Sequence, residues 1–468
     1  MEQSGMGAAI DRVLDELEAA QPAAVKRLSD LLAIPSVSAQ PGHSRDCVRA
    51  AEWVRDTLVS LGFSASLRPT AGHPVVLAHH VGPEGGPHVL FYGHYDVQPP
   101  DPVALWTSPP FEPQVVDGPS GRRIVARGAC DDKGQVAAFL ESLRAWHAAT
   151  GSIPVRMTVL IEGEEEVGSV NLPAFLRSAR DELGADFVLI SDSTQWSVDA
   201  PAITTSLRGL VYMQVDVRGP DKDLHSGLFG GLAMNPINVL TRVLGDLHDN
   251  NGHVQVPGFY DRVREVPAEQ AAAWEGLGFD EAAFLGHAGL THAAGERDRP
   301  PLQRLWARPT ADINGIWGGY TEAGAKTVIP SEAHAKVSFR LVPDMDPHEV
   351  QEGFRRFVRD RLPPGVQATF QEFGAGAAIV IPADSRWVRA ASASLQDEFG
   401  RAPVLMGGGG SIPVVETFKS ALGMDSVLMG FALDDDGAHS PNEKFELSLF
   451  RHGARAHARL LGRLAAGG

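Results

Sequence analysis

The feature that most constrains this chain is a rhythm of short apolar runs alternating with helical stretches. Val75 to Val81, His88 to Tyr92, Val155 to Ile161 and Phe187 to Ile190 read as strands, and Gly134 to Ala149 and Leu172 to Leu183 as the helices among them. Near-continuous apolar strands are buried on both faces, so the expectation is an α/β fold: a mostly parallel sheet with helices on both faces. Upstream, residues 8 to 33 keep helical spacing through Ile10, Val13, Leu14 and Leu17 and then Val25, Leu28, Leu31 and Leu32, until Pro35 stops the segment. A further helix is expected over Asp46 to Leu61.

After residue 206 the rhythm changes. Leu210 to Val217 and His334 to Val342 alternate like half-exposed antiparallel strands, Asn235 to Leu247 and His348 to Arg361 look helical, and residues 251 to 309 read as irregular. From residue 384 the α/β pattern returns, with a helix to Phe399, strands at Val404 to Met406 and Ser426 to Phe431, and a last helix from Glu443. The expected organisation is a first domain built from residues 1–206 and 384–468, with a smaller α+β lid or dimerisation domain, 207–383, inserted into it. A length of 468 residues suits two such bodies, since a domain holds roughly 100–200 residues.

Charge excludes one class of partner. Lys and Arg number 41 against 58 Asp and Glu, a net charge of −17, whereas nucleic-acid phosphates demand a basic face. Membrane association is not expected either, for no run of about 18 apolar residues occurs. The two cysteines, Cys47 and Cys130, are too few for a disulfide framework or a cysteine-type zinc site, and residues 1–20 lack a signal-peptide pattern, so a reducing cytoplasm is the expected setting.

The chemistry-bearing residues fall at the ends of the apolar runs. YGHYDV (92–97) places His94 and Asp96 directly after a strand, RGACDDKGQ (127–135) brings the adjacent pair Asp131 and Asp132, and EGEEEVGS (162–169) has four glutamates in five residues. LISDS (189–193) contributes Asp192, and DDDGAHSPNEKF (434–445) contributes His439. Each segment alone has an ordinary explanation: a loop histidine, an N-capping aspartate, an exposed acidic loop. Their co-occurrence does not, because ligands of open α/β sheets bind at the carboxyl ends of the strands. Two histidines with several carboxylates suit two Zn²⁺ or similar ions sharing a bridging carboxylate. Elsewhere, KDLHSGLFGG (222–231) sets His225 among small residues, AKTVIP and SFRLVPD carry Lys326 and Arg340, and GGGGSIPV leads into a helix at Ser411. An arginine on a strand can clamp a carboxylate with two parallel bonds.

These motifs together resemble the zinc metallopeptidase family that contains carnosinases, bacterial dipeptidases, carboxypeptidase G-type enzymes, acetylornithine deacetylase and succinyl-diaminopimelate desuccinylase. YGHYDVQP, WTSPPFEP, RGACDDKG, EGEEEVGS, DLHSG, GAKTVIP, FRLVPDM, GGSIPV and GAHSPNEK occur in order from about residue 30 onwards and look most like the cytosolic carnosinase and dipeptidase branch. The resemblance implies that His94 and Asp192 complete one zinc site, Glu166 and His439 the other, and that Asp131 bridges them. It makes Glu165 the general base and Asp96 the residue that orients His94. Spacing alone does not choose among Glu164, Glu165 and Glu166; the family's Glu-Glu-x-Gly-Ser pattern does. A cis peptide between Asp131 and Asp132 is implied as well.

By the same resemblance His225 polarises the scissile carbonyl, often from a partner subunit, which implies a homodimer through the inserted domain, while Arg340 and Ser411 hold the substrate carboxylate. The implied activity is hydrolysis of dipeptides or short peptides through a water between two zinc ions, with manganese or cobalt as possible substitutes. One departure stands out: Gly407 and Gly408 occupy the place of a usual Arg-Glu pair. The rival readings are an N-acyl-amino-acid amidohydrolase on the same scaffold, a binuclear phosphoesterase, and a metal-binding protein without activity.

Overall fold

The computed structural model describes residues 2–410 and 412–467. Its packing divides the chain into two units, one made of the residues up to Thr205 with Ile381–Met406 and those from Pro413 on, the other of Ser206–Val380 and Gly407–Ile412. The Gly-rich segment thus goes with the second unit.

In the first unit the apolar runs become strands of one large sheet, in the order Ser64–Arg68, Val75–His80, Arg156–Glu162, His88–His94, Phe187–Ile190, Ser426–Leu428, Ala202–Leu207. The four central strands pair in parallel; the antiparallel pairings lie towards the edges. Every residue of His88–His94 and of Phe187–Ile190 is buried, as the absence of polar alternation implied. Successive side chains of a strand point to opposite faces, and Phe91 and Tyr92 show both faces covered. Phe91 stacks on Phe139 of the helix Lys133–Thr150, centroids 3.5 Å apart, while Tyr92 meets Phe418 of the helix Pro413–Leu422 edge-on at 5.4 Å. Because the central strands share one direction, His94, Glu162, Ile190 and Leu428 all end at the same side of the sheet, and the loops that follow them gather there.

The structure corrects several local expectations. The amino-terminal segment is two helices, Glu2–Ala19 and Gln21–Leu32, since Pro22 fits the first turn of a helix but not the interior of a continuous one. The strand before Asp131, Gly121–Val125, belongs to a separate antiparallel sheet with Gln114–Gly118 and Lys444–Glu446. Asp131 therefore does not sit at a strand end equivalent to that of His94. The same pairing delays the last helix, expected from Glu443, to Leu447–Ala465. Residues 251–309, expected to be irregular, hold three short helices, Ala268–Glu275, Glu281–His287 and Pro301–Trp306, each too brief to show a period. Among the described residues no helix is long and apolar enough to cross a membrane.

The second unit has a four-stranded antiparallel sheet in the order Thr310–Gly318, Glu332–Leu341, Gly209–Arg218, Gln367–Gly376. Burial alternates strictly along Glu332–Leu341. The buried set, with Val211, Met213, Val337 and Phe339, packs on Leu240 and Phe354 of the helices Pro236–Gly245 and Pro347–Arg359, which leaves Arg340 on the other face, opposite Thr310 and Leu210 in register.

Candidate metal centre

His94 is the last residue of its strand and fully buried. Gly93 before it allows the Lys133–Thr150 helix to approach, since a Cβ there would lie 2.6 Å from Val136 and 2.8 Å from the Asp132 carboxylate. The ring's Nδ1 lies 3.0 Å from the Asp96 carbonyl oxygen, so Nδ1–H donates there. That leaves Nε2 facing Asp131 Oδ1 at 3.2 Å and Asp192 Oδ2 at 3.6 Å. Asp96 also holds the segment that carries Glu165 and Glu166. Its buried carboxylate accepts from the backbone N–H of Glu165 at 3.3 Å, from that of Glu166 at 3.1 Å and from the Ser38 hydroxyl at 2.6 Å.

The four glutamates from the end of the Arg156–Glu162 strand onwards divide into two pairs. Glu162 accepts from the Tyr92 hydroxyl at 2.6 Å and the Ser169 hydroxyl at 2.9 Å, and Glu164 accepts from the Asn171 amide at 2.8 Å. Both are satisfied within the fold. Glu165 and Glu166 occupy the one-turn helix Glu165–Val167 that Asp96 holds. Glu166 Oε2 lies 3.1 Å from His439 Nε2 and accepts from the Gln98 amide at 2.9 Å. His439 Nε2 is also 3.1 Å from Asp131 Oδ2. His439 itself takes a left-handed backbone, φ 63°, which is uncommon for a residue with a Cβ and is held by the turn it sits in.

Two groups of possible ligand atoms result, His94 with Asp131 and Asp192, and Asp131 with Glu166 and His439, each drawn together within 4.8 Å and both sharing Asp131. The peptide bond between Asp131 and Asp132 is cis. A third group, His253 with Glu296 and Asp298, lies in the second unit, where Arg308 already pairs with Glu296 at 2.5 Å.

The donor set fits a divalent cation. Lys133, the adjacent cation that might balance the aspartates, turns away and donates to the carbonyls of Ile34 at 2.6 Å and Leu31 at 3.3 Å. Burial pushes the Glu165 carboxyl up to about 8, with Asp192, Glu166 and Asp131 adding to the rise and His94 opposing it. Burial works to lower His94, yet its bonds to Asp131, Asp192 and Asp96 raise it well above the usual imidazole range. Burial also works to raise Asp131, but His439 and His94 hold it low. His439 is lifted to about 10, first by Asp131 and then by Glu166. A cluster so rich in half-buried carboxylate, with two imidazoles as its close partners, suits borderline cations that bind nitrogen and oxygen together.

The structure thus brings together His94, Asp131, Glu166, Asp192 and His439, with Glu165 beside them and Asp96 behind. His225 and Arg340 lie in the second unit. His225 is exposed, pairs through its short strand with Val328 of the GAKTVIP motif, and accepts the Gly227 N–H on Nδ1 at 3.0 Å. Ser411 lies outside the described residues. Spacing does not mark the bracing residues Gln98, Arg127 and Glu443, although they lie within the quoted motifs, nor Ser38, which lies in none of them.

Comparison with known proteins shows what the whole chain is similar to. A β-Ala-His dipeptidase of Homo sapiens is 32% identical over 470 residues, covering 96% of this chain and 92% of that protein. A Cys-Gly metallodipeptidase, dug1, of Schizosaccharomyces pombe is 30% identical, covering 96% and 97%. The crystal structure of human carnosine dipeptidase 1 superimposes with a TM-score of 0.82 at 30% identity, covering 98% of this chain and 99% of that one. The family model described as peptidase family M20/M25/M40 matches residues 90–463, and the chain belongs to that family.

Proposed function

We propose that the chain is a metal-dependent dipeptidase, hydrolysing the amide bond of dipeptides or short peptides. The observation that carries this reading is Asp131 set between His94 and His439, with Glu165 beside both ligand groups and a member of neither. In this reading His94, Asp131 and Asp192 hold one zinc ion and Asp131, Glu166 and His439 the other, with manganese or cobalt as serviceable replacements. When bound, the ions would polarise the scissile carbonyl and lower the pKa of a water molecule.

The chain's own groups do the rest. Glu165 takes the water proton and passes it to the leaving amine. His225, whose Nδ1 is engaged by the Gly227 N–H, keeps Nε2–H free to donate to the developing oxyanion, from a partner subunit in a homodimer formed through the inserted domain. Arg340, with Ser411, holds the substrate's free carboxylate, and the carboxylates around the metals favour a free amino terminus. Both cysteines are buried and free, which accords with a reducing cytoplasm. The named dipeptidase relatives support this reading over an N-acyl-amino-acid amidohydrolase.

The test is hydrolysis of a panel of free dipeptides, N-acetyl and N-succinyl amino acids and one phosphodiester, before and after chelation and with zinc, manganese or cobalt added back. Dipeptide cleavage that vanishes on chelation and returns with metal is the expected result. Cleavage of the acylated amino acids alone would move the chain to the deacylase branch.

A further inference from the structure

Glu443 follows His439 by four residues and belongs to neither ligand group. Its carboxylate is fully buried and takes four hydrogen bonds: Oε2 accepts from Arg127 Nη1 and from the Gly128 N–H, both at 2.8 Å, and Oε1 accepts from the backbone N–H of Cys130 at 2.9 Å and of Asp131 at 3.1 Å. These donors are spaced along the segment that presents Asp131.

Its neighbours extend the same clasp. Asn442 accepts from the backbone and hydroxyl of Thr107 at 2.8 Å each. Lys444 donates to Asp436 at 2.5 Å and pairs in the strand with Val125, closing the turn that carries His439. Arg127 reaches on to the Pro99 carbonyl at 3.1 Å, a few residues past Asp96. A buried carboxylate persists only where hydrogen bonds replace its lost water. Here two of those bonds come from the peptide groups of a proposed ligand and the residue before it, and the chain leads from the carboxylate directly to another proposed ligand.

We infer that Glu443 is a positioning residue that fixes Asp131 and His439 relative to each other, and so governs metal affinity at the Asp131–Glu166–His439 group more than at the His94–Asp131–Asp192 group. The asymmetry follows from the fold: His94 and Asp192 come from strand ends of the main sheet, while His439 hangs on the clasp. This inference rests on the ligand assignment proposed above.

The experiment is calorimetric titration of zinc into chelator-stripped full-length protein, with melting temperatures recorded with and without zinc. The variants are Glu443→Gln, which keeps an acceptor oxygen but loses the charge, and the double variant Arg127→Met/Glu443→Gln, which also removes the guanidinium left unpaired. His439→Ala identifies the step that belongs to its group. The wild type should show two steps. In both Glu443 variants the step that His439→Ala abolishes should weaken by roughly 10–100-fold, the range for residues that orient metal ligands, and the other step should change far less. The zinc-induced rise in melting temperature should shrink even where the double variant recovers the stability of the stripped protein. Unchanged steps in a folded variant, or equal weakening of both, would overturn the positioning role. A wild type with no zinc step would overturn the ligand assignment, and the clasp with it.

Discussion

Two histidines of the first unit are fully buried, and their surroundings are opposites. His94 sits at the strand ends among Asp131, Asp192 and Asp96. His457 lies in the core beside Phe91, Phe139 and Phe431, with Nδ1 donating to the Gly453 carbonyl at 2.8 Å and Nε2 without a hydrogen-bond partner among the described residues. Burial alone lowers both imidazoles. In His457 it prevails and brings the ring to about 4, whereas in His94 the surrounding carboxylates reverse it. The same burial therefore serves stability in one place and prepares a cation site in the other, and what separates the two is the charge of the neighbours.

The carboxylate surroundings of His94 depend most on Asp131. Asp131→Ala removes the carboxylate common to both ligand groups, so it should strip both metals and lower dipeptide turnover to background, read by metal analysis and by kcat. Retention of two metals would mean that the groups do not depend on their shared member. In the aromatic core the largest effect should come from Phe139→Ala, which deletes the ring stacked on Phe91. A loss of roughly 3–5 kcal/mol is expected in a denaturant titration, with kcat per folded molecule unchanged.

The smallest effect should be the acid sensitivity of His457. Its folded pKa of about 4 lies below the ordinary histidine value of 6.5, so between those values the unfolded chain binds the extra proton. Stability is complete above about 6.5 and falls as pH drops towards 4, by at most about 3 kcal/mol from this group. His457→Leu should flatten that part of the stability profile. An unaltered slope would mean that other groups set it.

Much of this was legible in the sequence, because the same apolar runs that build the parallel centre also deliver His94, Glu165, Glu166 and Asp192 to one side of it. Periodicity could not show that Asp131 arrives from a different sheet, since pairing between Gly121–Val125 and Lys444–Glu446 joins segments far apart in the chain. Nor could it divide the glutamates. Glu162 and Glu164 differ from Glu165 and Glu166 only in what reaches them, a tyrosine and a serine from one direction and an asparagine from another. Glu443 was invisible for a related reason: a glutamate in a polar turn has the composition of a solvated loop, and only the fold buries it against Arg127. Pro22 does mark the break between the first two helices, but the helical spacing on either side masks it.

In the proposed mechanism Glu165 acts as the base beside two metal sites without being a ligand of either. Glu165→Gln keeps the shape of the side chain and removes its ability to take a proton. Metal content and dipeptide turnover, measured on the same preparation, test the claim most directly. Two metals per chain with kcat reduced by roughly 10²–10⁴-fold, the usual range for a lost general base, is the expected result; near-normal turnover with metal retained would contradict it.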